Sequence, residues 1–121
     1  MSTRVAAGTL STLQPGEVRV VPLPHGSFGT PPFIPLEALL LRDLLGSPRA
    51  YLNRCQHLPV PLGFGGGELM SWDGQALECK THGALYRLDD GMCFDGPCEG
   101  RALLAIELLL EGDELYLIAA G

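Results

Sequence analysis

Two short stretches decide what this chain can be: Cys55-Gln56-His57 and, further along, Cys79-Lys80-Thr81-His82. The chain has only four cysteines and three histidines, and the two stretches take two of each. Residues i and i+2 of an extended segment point to the same side, so Cys55 and His57 can reach one centre together. Cys79 and His82, in the spacing of a tight turn, can do likewise. The pattern indicates a metal centre with two sulfur and two nitrogen ligands.

Such a ligand set suits two kinds of centre. One is a structural zinc ion, and the other is an iron–sulfur cluster in which two histidines replace two cysteines on one iron. Zinc modules usually pair cysteine with cysteine in one knuckle, whereas each stretch here mixes one cysteine with one histidine. The mixed arrangement favours the cluster, because each stretch can then give sulfur to one iron and nitrogen to the other. A zinc-stabilised interaction domain with the same ligands is the alternative.

With these residues the sequence resembles the Rieske family, whose motif is Cys-x-His, a gap, then Cys-x-x-His. The stretch CQHLPVPL is similar to the first ligand loop, and CKTHGALY is similar to the second, with Gly83 and Tyr86 after the histidine. DGMCFDGPCEGRALLAIEL resembles the proline-bearing third loop through Gly96-Pro97. The resemblance spans about residues 49 to 118. It implies a Rieske-type [2Fe-2S] cluster held by Cys55, His57, Cys79 and His82, with the histidines on the outer iron.

The resemblance also implies a one-electron carrier, not an enzyme. The leading hypothesis is a ferredoxin that takes electrons from a reductase and delivers them to an oxygenase or another acceptor. A small non-catalytic subunit of a reductase, similar to that of nitrite reductase, is the second hypothesis. A complete oxygenase would also need a mononuclear iron held by two histidines and a carboxylate. Once the cluster takes two histidines, only His25 remains, and we expect it on a surface loop.

Composition sets wider limits. A chain of 121 residues with 46% hydrophobic residues is long enough for one domain with a single core. Fourteen acidic residues against eight basic ones give a net charge of −6, so we expect no nucleic-acid partner. A protein partner with a basic patch suits this charge. No secretory signal is visible and no apolar run reaches the roughly twenty residues that span a bilayer, so we expect a cytoplasmic protein without a membrane partner.

The distribution of 16 glycines and 10 prolines over short segments predicts an all-β fold. Residues 17–23 (EVRVVPL) alternate as a strand, and EALLLRD with RAYLNRC predicts a hairpin whose turn is LLGSP. Trp72–Gln75 is predicted to be a turn between two strands. Glu111–Asp113 is predicted to join the last two strands, although ALLAIELLL also fits a helix.

The resemblance implies how these strands are divided. It predicts an antiparallel sandwich or barrel base made of residues 1–53 and 100–121. A cluster-binding subdomain of about residues 54–99 is inserted into this base.

Two further cysteines, Cys93 and Cys98, are left over by the ligand set. Free cysteine is among the most buried residue types, so we expect both to pack in the interior. The alternatives are a disulfide between them, disfavoured by a reducing compartment, and free thiols near the cluster.

Two departures from the family pattern bear on the redox potential of the cluster. In the cytochrome bc type each loop holds an additional cysteine and the two form a disulfide, but Val60 and Lys80 lie in that neighbourhood here. A serine that donates to a cluster sulfur in that type is replaced by Ala84. Fewer donors stabilise the reduced state less, which predicts a potential toward the low end of the Rieske range of roughly −150 to +300 mV. Tyr86 tempers this if its hydroxyl reaches a ligand sulfur; otherwise it is a half-buried core aromatic.

The Ala84→Ser variant tests the hydroxyl argument. We expect it to raise the midpoint potential, because the added hydroxyl can donate a hydrogen bond to sulfur and stabilise the reduced state. Voltammetry of the two proteins measures the difference, and an unchanged or lower potential in the variant would refute the argument.

Overall fold

The computed structural model describes residues 2–31, 33, 35–53, 71, 74–78, 83–96 and 100–120. In this part of the chain the regular elements are strands, apart from a 3-10 turn at Ser27–Gly29. The strands are β1 (Ser2–Thr9), β2 (Arg19–Leu23), β3 (Leu36–Arg42), β4 (Pro48–Leu52), β5 (Ala76–Glu78), β6 (Leu85–Arg87), β7 (Cys93–Asp95), β8 (Glu107–Glu111) and β9 (Glu114–Ala120). The predicted all-β class is confirmed.

Three antiparallel sheets contain these strands. We call them the terminal sheet, with strand order β1-β9-β8, the middle sheet, with order β2-β3-β4, and the small sheet, with order β5-β6-β7. Within the described residues no helix is long and apolar enough to cross a bilayer.

Strand β3 is the centre of the middle sheet and is buried on both faces. Its residues Ala38, Leu39, Leu40 and Leu41 are all 0% exposed. Successive side chains of a strand point to opposite faces, so they fill two different cores. Leu39 and Leu41 pack in one cluster with residues of the small sheet, and Ala38 and Leu40 pack in another with residues of the terminal sheet. The middle sheet therefore separates the two cores.

Fully buried side chains fill both cores. The core toward the small sheet includes the fully buried side chains of Leu77 and Tyr86. The core toward the terminal sheet includes Leu115 and Leu117 of β9. Each fully buried leucine contributes about 1.5–3 kcal/mol relative to an exposed one, so β3 contributes to the stability of both sides at once.

The predicted hairpins are present. Strands β3 and β4 pair antiparallel from Ala38↔Leu52 to Arg42↔Pro48, which makes LLGSP part of the connection as predicted. Strands β8 and β9 pair up to Glu111↔Glu114, so the helix alternative for this segment is wrong. Its leucines pair across to β9, and this cross-strand packing outweighs their helix propensity.

Two other strand predictions have mixed outcomes. The strand predicted for residues 17–23 is confirmed as β2, with its start at Arg19. After the predicted turn at Trp72–Gln75, β5 is a strand as expected. The strand predicted before that turn lies outside the described residues.

Strand β1 is not predicted by any sequence pattern described above; it pairs with β9 from Ser2↔Ala120 to Ala6↔Tyr116. The register then shifts between Ala6 and Thr9, which is a bulge. A bulge breaks the two-residue alternation by which a strand is recognised. Arg19 stabilises the bulge, because its guanidinium donates hydrogen bonds to the carbonyl oxygens of Ala7 at 2.8 Å and Thr9 at 3.3 Å.

A buried carboxylate organises the turn between β3 and β4. Asp43 accepts hydrogen bonds from the backbone N–H groups of Leu45 at 3.0 Å and Ser47 at 2.9 Å and from Arg49 Nε at 3.1 Å. Burial by itself raises the pKa of Asp43, but the hydrogen bonds and the charge of Arg49 outweigh it and leave the pKa below its usual 3.8. The charged form therefore stabilises the fold.

We expect Asp43→Ala to lower the free energy of unfolding at pH 7 by about 1–3 kcal/mol, because three donors lose their common acceptor. The folded pKa is lowered, so this stabilisation is present above the usual pKa and is lost as the pH falls through the folded value. Urea unfolding at several pH values measures both effects.

The exposed Asp89 provides the control, and Asp89→Ala should change stability by less than about 0.5 kcal/mol. Equal stability losses in the two variants would contradict the role given to Asp43.

Candidate metal centre

All four predicted ligands, Cys55, His57, Cys79 and His82, lie outside the described residues. The same holds for Val60, Lys80, Pro97 and Cys98. The described residues nevertheless show how the chain enters and leaves each ligand-bearing segment. Among them there is no group of three or more histidine, cysteine, aspartate or glutamate side chains that could hold a metal ion.

The second pair lies in the connection of a hairpin. Strand β5 ends at Glu78, directly before Cys79 in the chain, and β6 begins at Leu85. Glu78 and Leu85 are partners in the ladder, so the chain leaves the hairpin and returns to it at neighbouring positions. Gly83 and Ala84 return the chain to β6, with Ala84 completely buried.

The first pair follows β4. Asn53, the residue after this strand, is 8% exposed and is fixed by Glu37. Its backbone N–H donates to the Glu37 carbonyl oxygen at 2.9 Å, and its Nδ2 donates to Glu37 Oε1 at 3.1 Å. The chain is thus anchored two positions before Cys55.

Gly96-Pro97, the match to the family's third loop, follows β7 in the chain, and we call residues 96–100 the third segment. Gly96 comes directly after this strand and has a φ of 102°, a conformation that favours glycine. The chain is anchored again beyond Cys98, where the backbone N–H of Gly100 donates to the carbonyl oxygen of Cys93 at 3.1 Å. The backbone N–H of Cys93 in turn donates to the carbonyl oxygen of Arg101 at 2.7 Å.

The small sheet, which carries the second and third segments, is held to the middle sheet by apolar packing and one buried phenol. The hydroxyl of Tyr51 on β4 donates to the carbonyl oxygen of Leu88 at 2.8 Å. Burial raises the pKa of Tyr51 to about 12, so the phenol stays protonated and remains a donor at neutral pH. Sequence reasoning missed this contact, because its acceptor is a backbone carbonyl that no side-chain pattern marks.

The described residues also decide several side-chain predictions. Tyr86 is 0% exposed, so it is a core aromatic, more deeply buried than the half-buried position that was expected. The contact of its hydroxyl with a ligand sulfur stays a prediction. Cys93 packs in the core at 1% exposure with its thiol donating to the carbonyl oxygen of Asp95 at 3.3 Å, which agrees with the packing interpretation. His25 is exposed, as expected.

The donor set fits the group that the motif predicts. Two thiolates and two imidazoles match the ligands of a cluster in which two histidines replace cysteines on one iron. An all-β domain whose sequence carries two mixed Cys/His pairs therefore fits the iron–sulfur class of metal-binding proteins.

Comparison with known proteins identifies the family. The sequence profile of the Rieske [2Fe-2S] domain matches residues 6–110, which include both ligand pairs. The chain belongs to the Rieske [2Fe-2S] domain family, and its cofactor is a Rieske-type [2Fe-2S] cluster. The predicted family and cofactor are therefore confirmed.

A curated relative is the oxygenase component of chloroacetanilide N-alkylformylase from Rhizorhabdus wittichii (strain DC-6 / KACC 16600). It is 43% identical over 61 residues, which are 50% of this chain and 16% of that protein. The matched region thus spans only a small part of the relative's length.

Solved structures share the fold. The ferredoxin of carbazole 1,9a-dioxygenase from Nocardioides aromaticivorans IC177 is 26% identical, with a TM-score of 0.63, and the match covers 98% of this chain and 99% of that one. The terminal oxygenase of carbazole 1,9a-dioxygenase from the same organism is 22% identical, with a TM-score of 0.71, and the match covers 98% of this chain and 30% of that one. The Rieske-type antiparallel fold predicted from the motif is confirmed.

Proposed function

We propose that the chain binds its cluster through Cys55, His57, Cys79 and His82 and works as a ferredoxin that delivers single electrons to an oxygenase. The observation that carries this proposal is that the family match encloses both mixed Cys/His pairs. When bound, the cluster supplies reversible one-electron transfer. The chain itself catalyses no reaction and is an electron carrier.

The ligand types determine how readily the cluster accepts an electron. Two neutral imidazoles in place of two thiolates leave less negative charge around the irons, so adding an electron costs less than in an all-cysteine site. Ala84 provides no hydroxyl that could donate to a sulfur, which moves the potential toward the low end of the family range.

A ferredoxin role is supported by the extent of the structural likeness. The ferredoxin of carbazole 1,9a-dioxygenase matches over nearly the whole of both chains. Other similar structures are of complexes between the oxygenase and ferredoxin of that system. The partners we propose are accordingly a reductase as donor and an oxygenase as acceptor.

Charge supports a protein partner with a basic docking face. The net charge is −6, and the described residues that flank the ligand-bearing segments include the carboxylates Glu37, Glu78 and Asp95. Complementary charges increase the rate of encounter between weakly binding redox partners. A weak, short-lived complex suits repeated electron delivery.

A second candidate function follows from the curated relative. The 43% identity to an oxygenase component favours a Rieske domain that receives electrons within a larger oxygenase. In that case the mononuclear iron would be bound outside these residues, because His25 is the remaining histidine of the sequence once the cluster is bound.

We further propose the division into a base of residues 1–53 and 100–121 and a cluster-binding subdomain of about residues 54–99. The terminal and middle sheets consist of strands from the first set, and the small sheet consists of strands from the second. We also propose a cytoplasmic location, which suits cysteines that serve as metal ligands or pack in the core.

The purified protein should be red-brown and, after reduction with dithionite, should give a Rieske-type electron paramagnetic resonance signal. Metal analysis should find two irons per chain and no zinc for a ferredoxin, while a third iron in the native protein supports the oxygenase alternative. A colourless protein that contains zinc would disprove the electron-transfer proposal.

Either histidine variant, His57→Ala or His82→Ala, should lose or convert the cluster, because the set of two sulfur and two nitrogen ligands is then incomplete. We expect occupancy with the Rieske-type signal to fall at least about tenfold, since loss of a metal ligand exceeds even the roughly 10–100-fold effect of losing an outer partner. Far-ultraviolet circular dichroism should show that the base stays folded.

The exposed His25 supplies the matched control, and His25→Ala should keep the full signal. A cluster that survives in His82→Ala argues against the ligand set. Global unfolding of His82→Ala argues against the division into base and inserted subdomain.

A further inference from the structure

The backbone after β7 makes an unusually close approach to the residue that precedes β6. A side-chain Cβ built at Gly96 would lie 2.7 Å from Ala84 Cα, 3.2 Å from Ala84 Cβ and 3.3 Å from Ala84 N. A separation below 3.0 Å is one that real Cβ atoms essentially never show. Two of the three atoms are backbone, so Ala84 cannot relieve the contact by a side-chain rotation. Glycine is therefore required at position 96 by space as well as by φ.

The ladder between β6 and β7 creates this approach. Leu85 pairs with Asp95, but Tyr86 pairs with Cys93, so Phe94 is the extra residue of a bulge. A bulge bends its strand and changes the direction in which the chain continues. Here the chain continues to Gly96, which lies on Ala84.

Ala84 lies two residues after the proposed ligand His82. It is 0% exposed and belongs to the same buried cluster as Leu77, Tyr86 and Cys93. Its backbone is thus packed against the core on one side and is in contact with Gly96 on the other. If the Gly96 backbone and the Ala84 backbone are pushed apart, either the third segment or the chain between His82 and β6 must move.

We infer that Gly96 is a positioning residue for the cluster: its lack of a side chain lets the backbone after β7 lie against Ala84, the residue that joins the proposed ligand His82 to β6. This inference rests on the proposed ligand set. It assigns to Gly96 an effect on the electronic properties of the centre, beyond the stability of the loop.

The direction of the effect follows from charge. With two thiolates and two neutral imidazoles, the oxidised centre is uncharged and the reduced centre carries one negative charge. If a side chain at position 96 pushes the backbone away from Ala84, water reaches this residue, which is fully buried in the wild type and lies two positions after the proposed ligand His82; water favours the charged reduced state. Displacement should thus raise the midpoint potential and loosen the cluster.

The test is Gly96→Ala with Gly100→Ala as the matched control. Both glycines are exposed, both have a positive φ, of 102° and 91°, and they border the same short segment. A Cβ at Gly100 meets no described atom within 4 Å, so the control carries the backbone strain without the contact. The difference between the two variants isolates the approach to Ala84.

We expect Gly96→Ala to have a higher midpoint potential than Gly100→Ala in voltammetry and an altered electron paramagnetic resonance spectrum. Cluster bleaching on incubation at fixed temperature should be about tenfold faster in Gly96→Ala, since overpacking a close contact typically costs a factor of roughly 5 to 150. A merely structural role would lower the melting temperature of both variants and leave potential and spectrum alike. Equal or lower potential in Gly96→Ala, with an unchanged spectrum, would overturn the inference.

If Gly96→Ala yields no folded protein, Ala84→Gly tests the same contact from the other side. It removes the Cβ that lies against Gly96, and cluster bleaching should be faster than in the wild type while the circular dichroism of the strands is unchanged. An unchanged bleaching rate would overturn the inference. The wild-type spectrum separates the two proposals: without a Rieske signal the proposed function fails first, whereas with one these variants test Gly96 alone.

Discussion

The two-sided burial of β3 is the constraint on which the rest of the structure depends. A strand with leucines on both faces cannot be covered by one sheet, so the chain must provide apolar surface on each side. The terminal sheet covers one face and the small sheet covers the other. The first hairpin of the small sheet includes Cys79 and His82, the second pair of proposed ligands, in its connection. The packing of Leu39 and Leu41 therefore also helps to determine where that hairpin lies relative to β4.

The segments that contain the proposed ligands are connections between strands. Strands and buried polar contacts hold the ends of these segments in place. Functional residues are commonly on loops that a rigid scaffold positions. Here the anchors differ in kind: Asn53 is held by Glu37 on the neighbouring strand, Glu78 by the ladder to Leu85, and Gly96 by its contact with Ala84. Tyr51 adds a buried hydrogen bond that ties the small sheet to β4. Each anchor restricts the chain at the end of a segment, and the proposed ligands lie beyond these anchors in the sequence.

Features that depend on neighbouring residues could be predicted from the sequence, whereas contacts between residues distant in the chain could not. The hairpins at LLGSP and Glu111–Asp113 follow from local turn chemistry, and both are present. Burial on both faces removed the alternation that marks a strand in EALLLRD, and a bulge removed it in β1. The family and cofactor followed from the spacing of four ligand residues. The contacts of Tyr51 with Leu88 and of Gly96 with Ala84 involve backbone atoms far along the chain, which no residue pattern reports.

Ala84 bears both on the packing of the core and on the expected redox potential of the cluster. The residue is fully buried, so any hydroxyl placed there would lose its hydration, at a cost of about 1–3 kcal/mol unless it found an acceptor. The side facing Gly96 is closed by backbone, which leaves such a hydroxyl only directions away from the third segment. Alanine avoids the desolvation cost and gives up the donor that would stabilise the reduced state. The absence of a donor and the close approach of Gly96 therefore occur at the same buried residue, and both bear on the chain that returns from the proposed ligand His82.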